Sequence, residues 1–440
     1  MCLYIFYRSF LIEYDYHTSM NTRTKNTLYD VIVVGGGASG MMASGSAGTT
    51  GKKVLLIEKN KNLGEKLKIT GGGRCNITNA EYDEHIFLSY YGDAKKHLYS
   101  AFAKFGVQNT FSFFKEFDLD IVIEARKRAF PATQKAIDVY NAMVRFLEKN
   151  NVEIITNSPI IKIHKENNLI HHIEDKYGNH YYAKNYIFAT GGYSKPETGS
   201  TGDGFHWLSD LGHTVHKPTP SIVPLQTKES WVADISGVSL SFMKITFFVD
   251  NKKAFTKKGK ILFTHFGLSS PLILNSSKQV GDLLHTGEVT AIIDMYPDTE
   301  IGSLDKQLIK TFDQNKNKSF KNIAKEITPD GMHALIIKLL SEEFDIDKKV
   351  HSITKEERRM IIDLLKGLKV TIVGLMGFDR AVIADGGIPM SEIDTRTMQS
   401  KKISNLFVTG DLLHVNRPSG GYSLQLCWTT GYVAGISASV

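Results

Sequence analysis

Three glycines, Gly35-x-Gly37-x-x-Gly40, follow an apolar run, Tyr29–Val34, and open a stretch of small residues, Met41–Thr50. In that order they can hold a pyrophosphate against the start of a helix. Gly35 permits the tight turn, Gly37 lets backbone approach the anion, and Gly40 lets the helix lie close on the strand. The helix start adds unpaired N–H groups and a favourable dipole. Glu58 closes the next apolar run, Lys53–Glu58, about 20 residues on, where a carboxylate accepts hydrogen bonds from ribose hydroxyls. Strand, turn, helix and acid together read as a dinucleotide site.

A second strand–glycine–acid element, Leu406–Val408 followed by Thr409-Gly410-Asp411, stands near the other end of the chain. One nucleotide unit at the N-terminus and one such element near the C-terminus is the arrangement of FAD enzymes of the glutathione-reductase type. There Asp411 would accept a hydrogen bond from a ribityl or neighbouring hydroxyl. No second G-x-G-x-x-G sits in a strand–helix–strand frame, and Gly202-x-Gly204 lacks a preceding apolar strand. NAD(P)H would therefore visit the flavin transiently as electron donor.

Between these elements, Gly64 to Thr78 carries a glycine triplet, Gly71–Gly73, that admits close backbone approach to a flat ring or phosphate. Arg74 adds a permanent positive charge and Asn76 an amide. Cys75 is either a thiol at the flavin's reactive face or a small packing residue, and packing is favoured because no partner cysteine stands near it in sequence.

The elements that must position these groups follow from periodicity. Thr133–Lys149 reads as a helix, and Val152–Thr156, Ile160–His164, Leu169–Glu174 and Tyr181–Ala183 as strands of a small meander. Tyr186–Ala189 is a further buried strand. From about Thr214 short β-type runs, Lys244–Val249, Lys260–Phe263 and Val289–Asp294, predict a β-rich inserted domain. A Lys-rich helical stretch follows, clearest at Ala334–Leu340 and Glu356–Leu365. The chain returns to the first domain at Leu406–Val408 and ends in a helix, Ser423 to Ala438, after Gly420-Gly421. The fold class is α/β. Its expected divisions are an extension at 1–28 outside the fold, an FAD-binding part at 29–213, a β-rich insertion at 214–302, a helical subdomain at 303–369 and a return at 370–440.

Composition narrows the classes. At 440 residues the chain exceeds one ordinary core. Its apolar runs are strand-length, short of the roughly 20 residues that cross a bilayer. Three cysteines, Cys2, Cys75 and Cys427, have no metal-ligand spacing, so no metal is expected, and their scarcity fits a reducing, cytoplasmic setting. The net charge of +7 is scattered along the chain. A small-molecule substrate is the expected partner, and nucleic acid is disfavoured because the lysines of Lys306–Lys325 lack an aromatic platform.

Four separated motifs make a family visible: Gly71-Gly-Gly-Arg-Cys-Asn76, the run Ala189-Thr-Gly-Gly to Gly204, Ile261–Ser269, and Gly420-Gly-Tyr-Ser-Leu-Gln425. Together, in order from about Tyr29 to Val440, they resemble the BaiN-like family of NAD(P)/FAD-dependent oxidoreductases, which includes aminoacetone-oxidase-type enzymes. The resemblance implies a Rossmann-like FAD domain interrupted by a β-barrel-like domain and a small helical one. It places Gly35, Gly37, Ala38, Ser39 and Gly40 on the pyrophosphate and Glu58 with Lys59 at the adenosine. Arg74, Cys75 and Asn76 lie beside the flavin, with Thr190 and Gly191 near the cofactor. Gly410 and Asp411 match the family's Gly–acid pair, and Gly420, Gly421 and Tyr422 open the last helix, whose N-terminus can stabilise negative charge on the reduced ring.

This chain departs from the family in three places. His414-Val-Asn416-Arg417 stands where Asp-Val-Asp-Gly is usual, Ala384-Asp385-Gly386-Gly387 where Thr-Ala-Gly-Gly is commoner, and Lys127 where a glycine is usual. Candidates for proton transfer or substrate binding are His265, His414, Arg417 and Tyr422. A histidine titrates near neutrality, and an arginine can hold a carboxylate. The implied activity is hydride transfer between flavin and a small organic substrate, as an NAD(P)H-linked reductase. The alternatives are a flavin oxidase of an amine or ketone-type substrate using oxygen, and a flavin-containing RNA-modifying protein.

Overall fold

A strand, a crossover helix and a second strand in sequence generate a parallel sheet. The computed structural model, which describes residues 27–440, has that sheet at its centre. The extension expected at 1–28 lies outside the described residues except for Thr27 and Leu28, and Leu28 already belongs to the first strand.

Glu153–Ile155, Val54–Ile57, Leu28–Val34, His180–Phe188 and Leu406–Val408 run side by side and parallel. In their register Ile57, Val34, Phe188 and Val408 fall in one row. Glu58, Gly35, Ala189 and Thr409 therefore leave the sheet at one edge, although up to 374 positions of chain (35 to 409) separate them. Parallel strands bind ligands at their carboxyl ends, and this edge is that end.

Tyr181–Ala183 and Tyr186–Ala189 belong to one strand, His180–Phe188. The polar pair between them need not leave the ladder, because Lys184 Nζ donates to Asp30 at 2.7 Å and Asn185 Nδ2 to the Ala438 carbonyl at 2.8 Å. The helix expected from Thr133 begins at Ala136. Gln134 is left-handed at φ 61°, and Thr133 Oγ1 donates to Asp138 Oδ2 at 2.5 Å, which holds the chain in a turn.

The insertion is a closed six-stranded barrel. Two of its strands are longer than their apolar runs, Ser239–Val249 and Lys252–Thr264, because the lysines of the second point outward while Gly259 and Ile261 are buried. Helices Ile301–Gln314, Phe320–Ile327, His333–Leu340 and Lys355–Lys366 form the helical part. Leu368–Leu375 then pairs with Val289–Asp294 and Leu225–Thr227 to close the barrel, so position 370 falls inside a barrel strand. Two antiparallel strands, His216–Ser221 and Ile383–Gly387, connect the bodies.

Two apolar clusters result, one around the sheet and one joining barrel and helices. In the first, helices Ala38–Gly48 and Tyr422–Ala438 pack backbone to backbone. A Cβ on Gly431 would stand 2.5 Å from the Ser39 carbonyl oxygen, and one on Gly435 2.3 Å from that of Ala43. Small residues bring the two helix N-termini to the same edge of the sheet.

Candidate cofactor cleft and substrate pocket

At that edge Gly35 turns with φ 105°, and a side chain there would meet the Ala189 carbonyl at 2.6 Å. Above Gly37 nothing lies within 4 Å, so the turn opens into a cleft also lined by Ala38, Ser39, Thr190 and Gly191. Gly37 caps the helix without a side-chain bond, leaving its first N–H groups for an anion. Gly40 faces the other way, onto the Gly35 carbonyl.

Glu58 lines the cleft beside this turn. Its carboxylate accepts from Gly36 N at 2.7 Å and Asn60 N at 2.8 Å, each oxygen keeping acceptor capacity. Burial pushes its pKa up, against those hydrogen bonds and the Lys59 charge. Lys59 does not line the cleft; its Nζ pairs with Asp203 Oδ2 at 2.7 Å.

The opposite wall comes from the C-terminal part of the chain. Gly410, left-handed at φ 64°, follows Thr409, whose Oγ1 donates to Ser39 Oγ at 3.2 Å. Asp411 lines the cleft, but its carboxylate lies between Arg417 and Lys66 Nζ, the latter at 3.5 Å. Burial acts to raise its pKa, yet Arg417 and Lys66 hold it below the ordinary carboxylate value. Cys427 completes this wall as a neutral thiol, pushed up to about 12 by burial. Lys66 is the residue that sequence reasoning missed. Its place in the distinctive Gly64–Thr78 stretch was the available signal.

The Arg74–Asn76 segment divides. Arg74 turns away, stacking on Phe130 at 4.2 Å and bonding Gln134 and Glu124. Cys75 is fully buried with its pKa raised by desolvation, and it packs as a small core residue. Asn76 Oδ1 and Thr190 Oγ1 are buried without a hydrogen-bond partner. Thr190, which carries one of these orphaned atoms, lines the cleft with the open glycine turn, the helix start and the ribose-type acid, a set that fits an adenine dinucleotide; Asn76 does not line it. On this edge Glu58 would meet the ribose, the Ala38–Gly40 amides the pyrophosphate, and Thr190 the remainder.

Gly420 and Gly421 are both left-handed and set the last helix on Thr78, so that a Cβ at Gly421 would sit 2.2 Å from the Thr78 carbonyl carbon. Tyr422 is buried against Phe87 and Tyr90 with its hydroxyl pKa raised by burial, and it lines neither cavity. His265 is exposed in the barrel turn beside Phe266 and also lines neither.

His414 and Arg417 do come together, in a pocket of about 830 Å³ between the bodies. Its walls are Tyr90–Ala94 from the first domain, Ser221 and Ile222 at the end of a linking strand, and Leu274, Asn275, Ser277 and Lys278 from the barrel helix Pro271–Leu284. Asn275 Oδ1 clamps the remaining wall by accepting from Ser419 N at 3.0 Å and Ser419 Oγ at 2.9 Å. Arg417, 3% exposed, donates to the Val415 carbonyl at 2.7 Å and to Ser423 Oγ at 3.1 Å, besides its pairing with Asp411. His414 Nε2 lies 3.5 Å from Asp385 Oδ1, and its ring packs on His216 at 4.4 Å. Lys278 Nζ meets the other Asp385 oxygen at 3.0 Å. Among the described residues no group of His, Cys, Asp and Glu could hold a metal ion, and no helix is long and apolar enough to cross a membrane.

A Rossmann-type sheet with a dinucleotide cleft, joined to a barrel across a second pocket, defines an FAD-dependent oxidoreductase. Residues 29–437 match the family described as the HI0933-like protein Rossmann domain, and the chain belongs to it. It is 26% identical to the 3-dehydro-bile acid delta(4,6)-reductase of Clostridium scindens over 415 residues, 92% of this chain and 98% of that one. It is equally 26% identical to the ribosomal RNA dihydrouridine synthase of Haemophilus influenzae over 413 residues, 93% and 98% of the two chains. In fold it is similar to 3-ketosteroid delta1-dehydrogenase of Sterolibacterium denitrificans, with a TM-score of 0.52, 14% identity and coverage of 94% and 99%.

Proposed function

We propose that this oxidoreductase saturates a carbon–carbon double bond conjugated to a carbonyl, in a small organic substrate, with NAD(P)H as the electron source. One observation carries the reading: Asp411 lines the cofactor cleft, Arg417 lines the 830 Å³ pocket, and the two are ion-paired. The cavities share that wall, so a molecule in the pocket lies next to the cofactor's end of the cleft. Bound FAD supplies the two electrons as hydride at its ring. The protein's share is to orient the acceptor and keep it there.

The pocket suits an occupant with both polar and apolar surface. Asn275, Ser277, Lys278, His414 and Asn416 stand among its lining residues beside Tyr90, Ile222, Leu274, Pro389 and Met390. A volume of this size holds a drug-sized molecule. Both curated relatives carry names of double-bond saturation, one on a bile-acid skeleton and one on uridine.

The uridine reading, with RNA as substrate, draws on the exposed Lys96 at the pocket, since Lys278 there is paired with Asp385. The Lys306–Lys325 segment adds little to it, since Lys316, Lys318 and Lys321 pair with Asp313, Glu326 and Asp347.

Anaerobic stopped-flow mixing tests the proposal. NADH or NADPH should bleach the bound flavin, and a cyclic enone should restore its colour. Recovery only with a uridine-containing RNA would select the RNA reading. Recovery only with oxygen would replace reductase by oxidase.

A further inference from the structure

Asp385 and His414 lie 29 positions apart in sequence and come within 3.5 Å of each other beside the pocket that His414 lines. We propose that His414 is the proton donor of the reaction in this pocket, with Asp385, His216 and Lys278 positioning and tuning it. The inference rests on the double-bond reading above.

The geometry sets an imidazole beside a buried carboxylate oxygen at the pocket wall. Nε2 lies 3.5 Å from Asp385 Oδ1, which has no hydrogen-bond partner and is buried. The ring lies tilted against His216, with centroids 4.4 Å apart. At that distance the carboxylate acts on the ring by its charge, and a small shift of either side chain would bring the orphaned oxygen into a hydrogen bond with Nε2. The side chain is 36% exposed, and His414 lines the pocket, so a substrate can reach it.

Saturating a conjugated bond needs hydride at the carbon remote from the carbonyl and a proton at the adjacent carbon. The electron pair comes from NAD(P)H through the flavin. As the remote carbon takes hydride, the π pair moves toward the carbonyl, and the proton moves from the His414 imidazolium to the adjacent carbon. Neutral His414 then regains a proton from solvent. Atoms and charge balance without another co-reactant.

The surroundings set how pH acts. Burial disfavours the imidazolium, Asp385 favours it, and His216 and Lys278 oppose it, leaving the pKa below 6.5. Asp93, Lys96, His97 and Arg417 are the other charged or titratable groups lining the pocket. Arg417 is already paired with Asp411. Activity should therefore fall as pH rises through the His414 pKa. Removing the Asp385 charge should move that limb to lower pH. Removing Lys278 should move it to higher pH.

The test uses the full-length FAD-loaded protein and three variants, H414Q, D385N and K278M. Enone reduction should fall about 100-fold in H414Q. The pH limb should shift down by about one unit in D385N, and up in K278M. The NMR titration of the His414 ring proton, assigned by its loss in H414Q, should move in the same two directions. Wild-type turnover in H414Q, or limbs indifferent to D385N and K278M, would overturn the proposal while leaving the double-bond reading in place. Failure of the wild-type protein to reduce any conjugated acceptor, with the two variants still shifting the His414 titration in opposite directions, would instead remove that reading, and the proton-donor role with it.

Discussion

Arg417 reaches back six residues to clasp Asp411, and both side chains are nearly out of solvent, at 2% and 11% exposure. The acid in the turn after strand Leu406–Val408 is thus fixed by the segment that walls the pocket. Removing one partner of such a pair leaves an uncompensated buried charge. Arg417→Met should cost about 3–5 kcal/mol of stability, read as a lower denaturant midpoint. An R417M protein as stable as wild type would show that the pair contributes nothing.

Glu58 links the glycine turn to the nucleotide. Its bond from Gly36 N shapes the turn, and its spare lone pairs face the cleft. Glu58→Ala should weaken FAD binding by about 1.5–3 kcal/mol, the range for a hydrogen bond to a charged group. That is a roughly 10- to 100-fold higher Kd, measured by fluorescence titration of apoprotein. Glu58→Gln should lose less, because its amide oxygen still accepts from Gly36.

The helix pair gives a steric test. Gly435→Val would place its Cβ on the Ala43 carbonyl, backbone that cannot move aside alone. Destabilisation of about 1–3 kcal/mol or more is expected. Bound FAD should fall together with it, because the displaced helix Ala38–Gly48 carries the pyrophosphate amides. Normal stability and flavin content in G435V would contradict the packing.

Acid sensitivity should trace to His213. Its buried ring lies between Glu392 Oε2 at 2.8 Å and Ser400 Oγ at 2.9 Å. Burial holds its pKa below 6.5 despite Glu392. Unfolded chain then binds the proton first, so stability is full above 6.5 and declines as pH falls through that value. Glu392 is held down to about 2 against burial by Lys402, Thr214 and His213. Its contribution is present above 4.5 and fades as pH falls from there toward 2. Denaturant midpoints of wild type and His213→Gln between pH 8 and 5 should converge as pH falls. Parallel curves would refute the assignment.

Much of the cofactor edge was legible because its signals are local. Gly35, Gly37, Glu58, Thr190, Gly191 and Asp411 stand at the ends of strands whose apolar runs announce them, and all line the cleft. Lys59, Arg74 and Tyr422 were named by position in a motif, and motif position does not say where a long side chain finds its partner. Asp203, Glu124 and the Phe87–Tyr90 ring cluster claimed them instead. The barrel strand Leu368–Leu375 was hidden for a related reason. Strand identity there depends on partners at Val289–Asp294 and Leu225–Thr227, far away in sequence.

By itself the sequence determined the nucleotide unit, the returning strand and the inserted β-rich region, since turn chemistry and side-chain period act over a few residues. Only tertiary structure decided that Ile57, Val34, Phe188 and Val408 end in one row, and that His414 meets Asp385 beside the pocket. Those relations arise from sheet register and domain closure, in which residues hundreds of positions apart are selected by what they bury together.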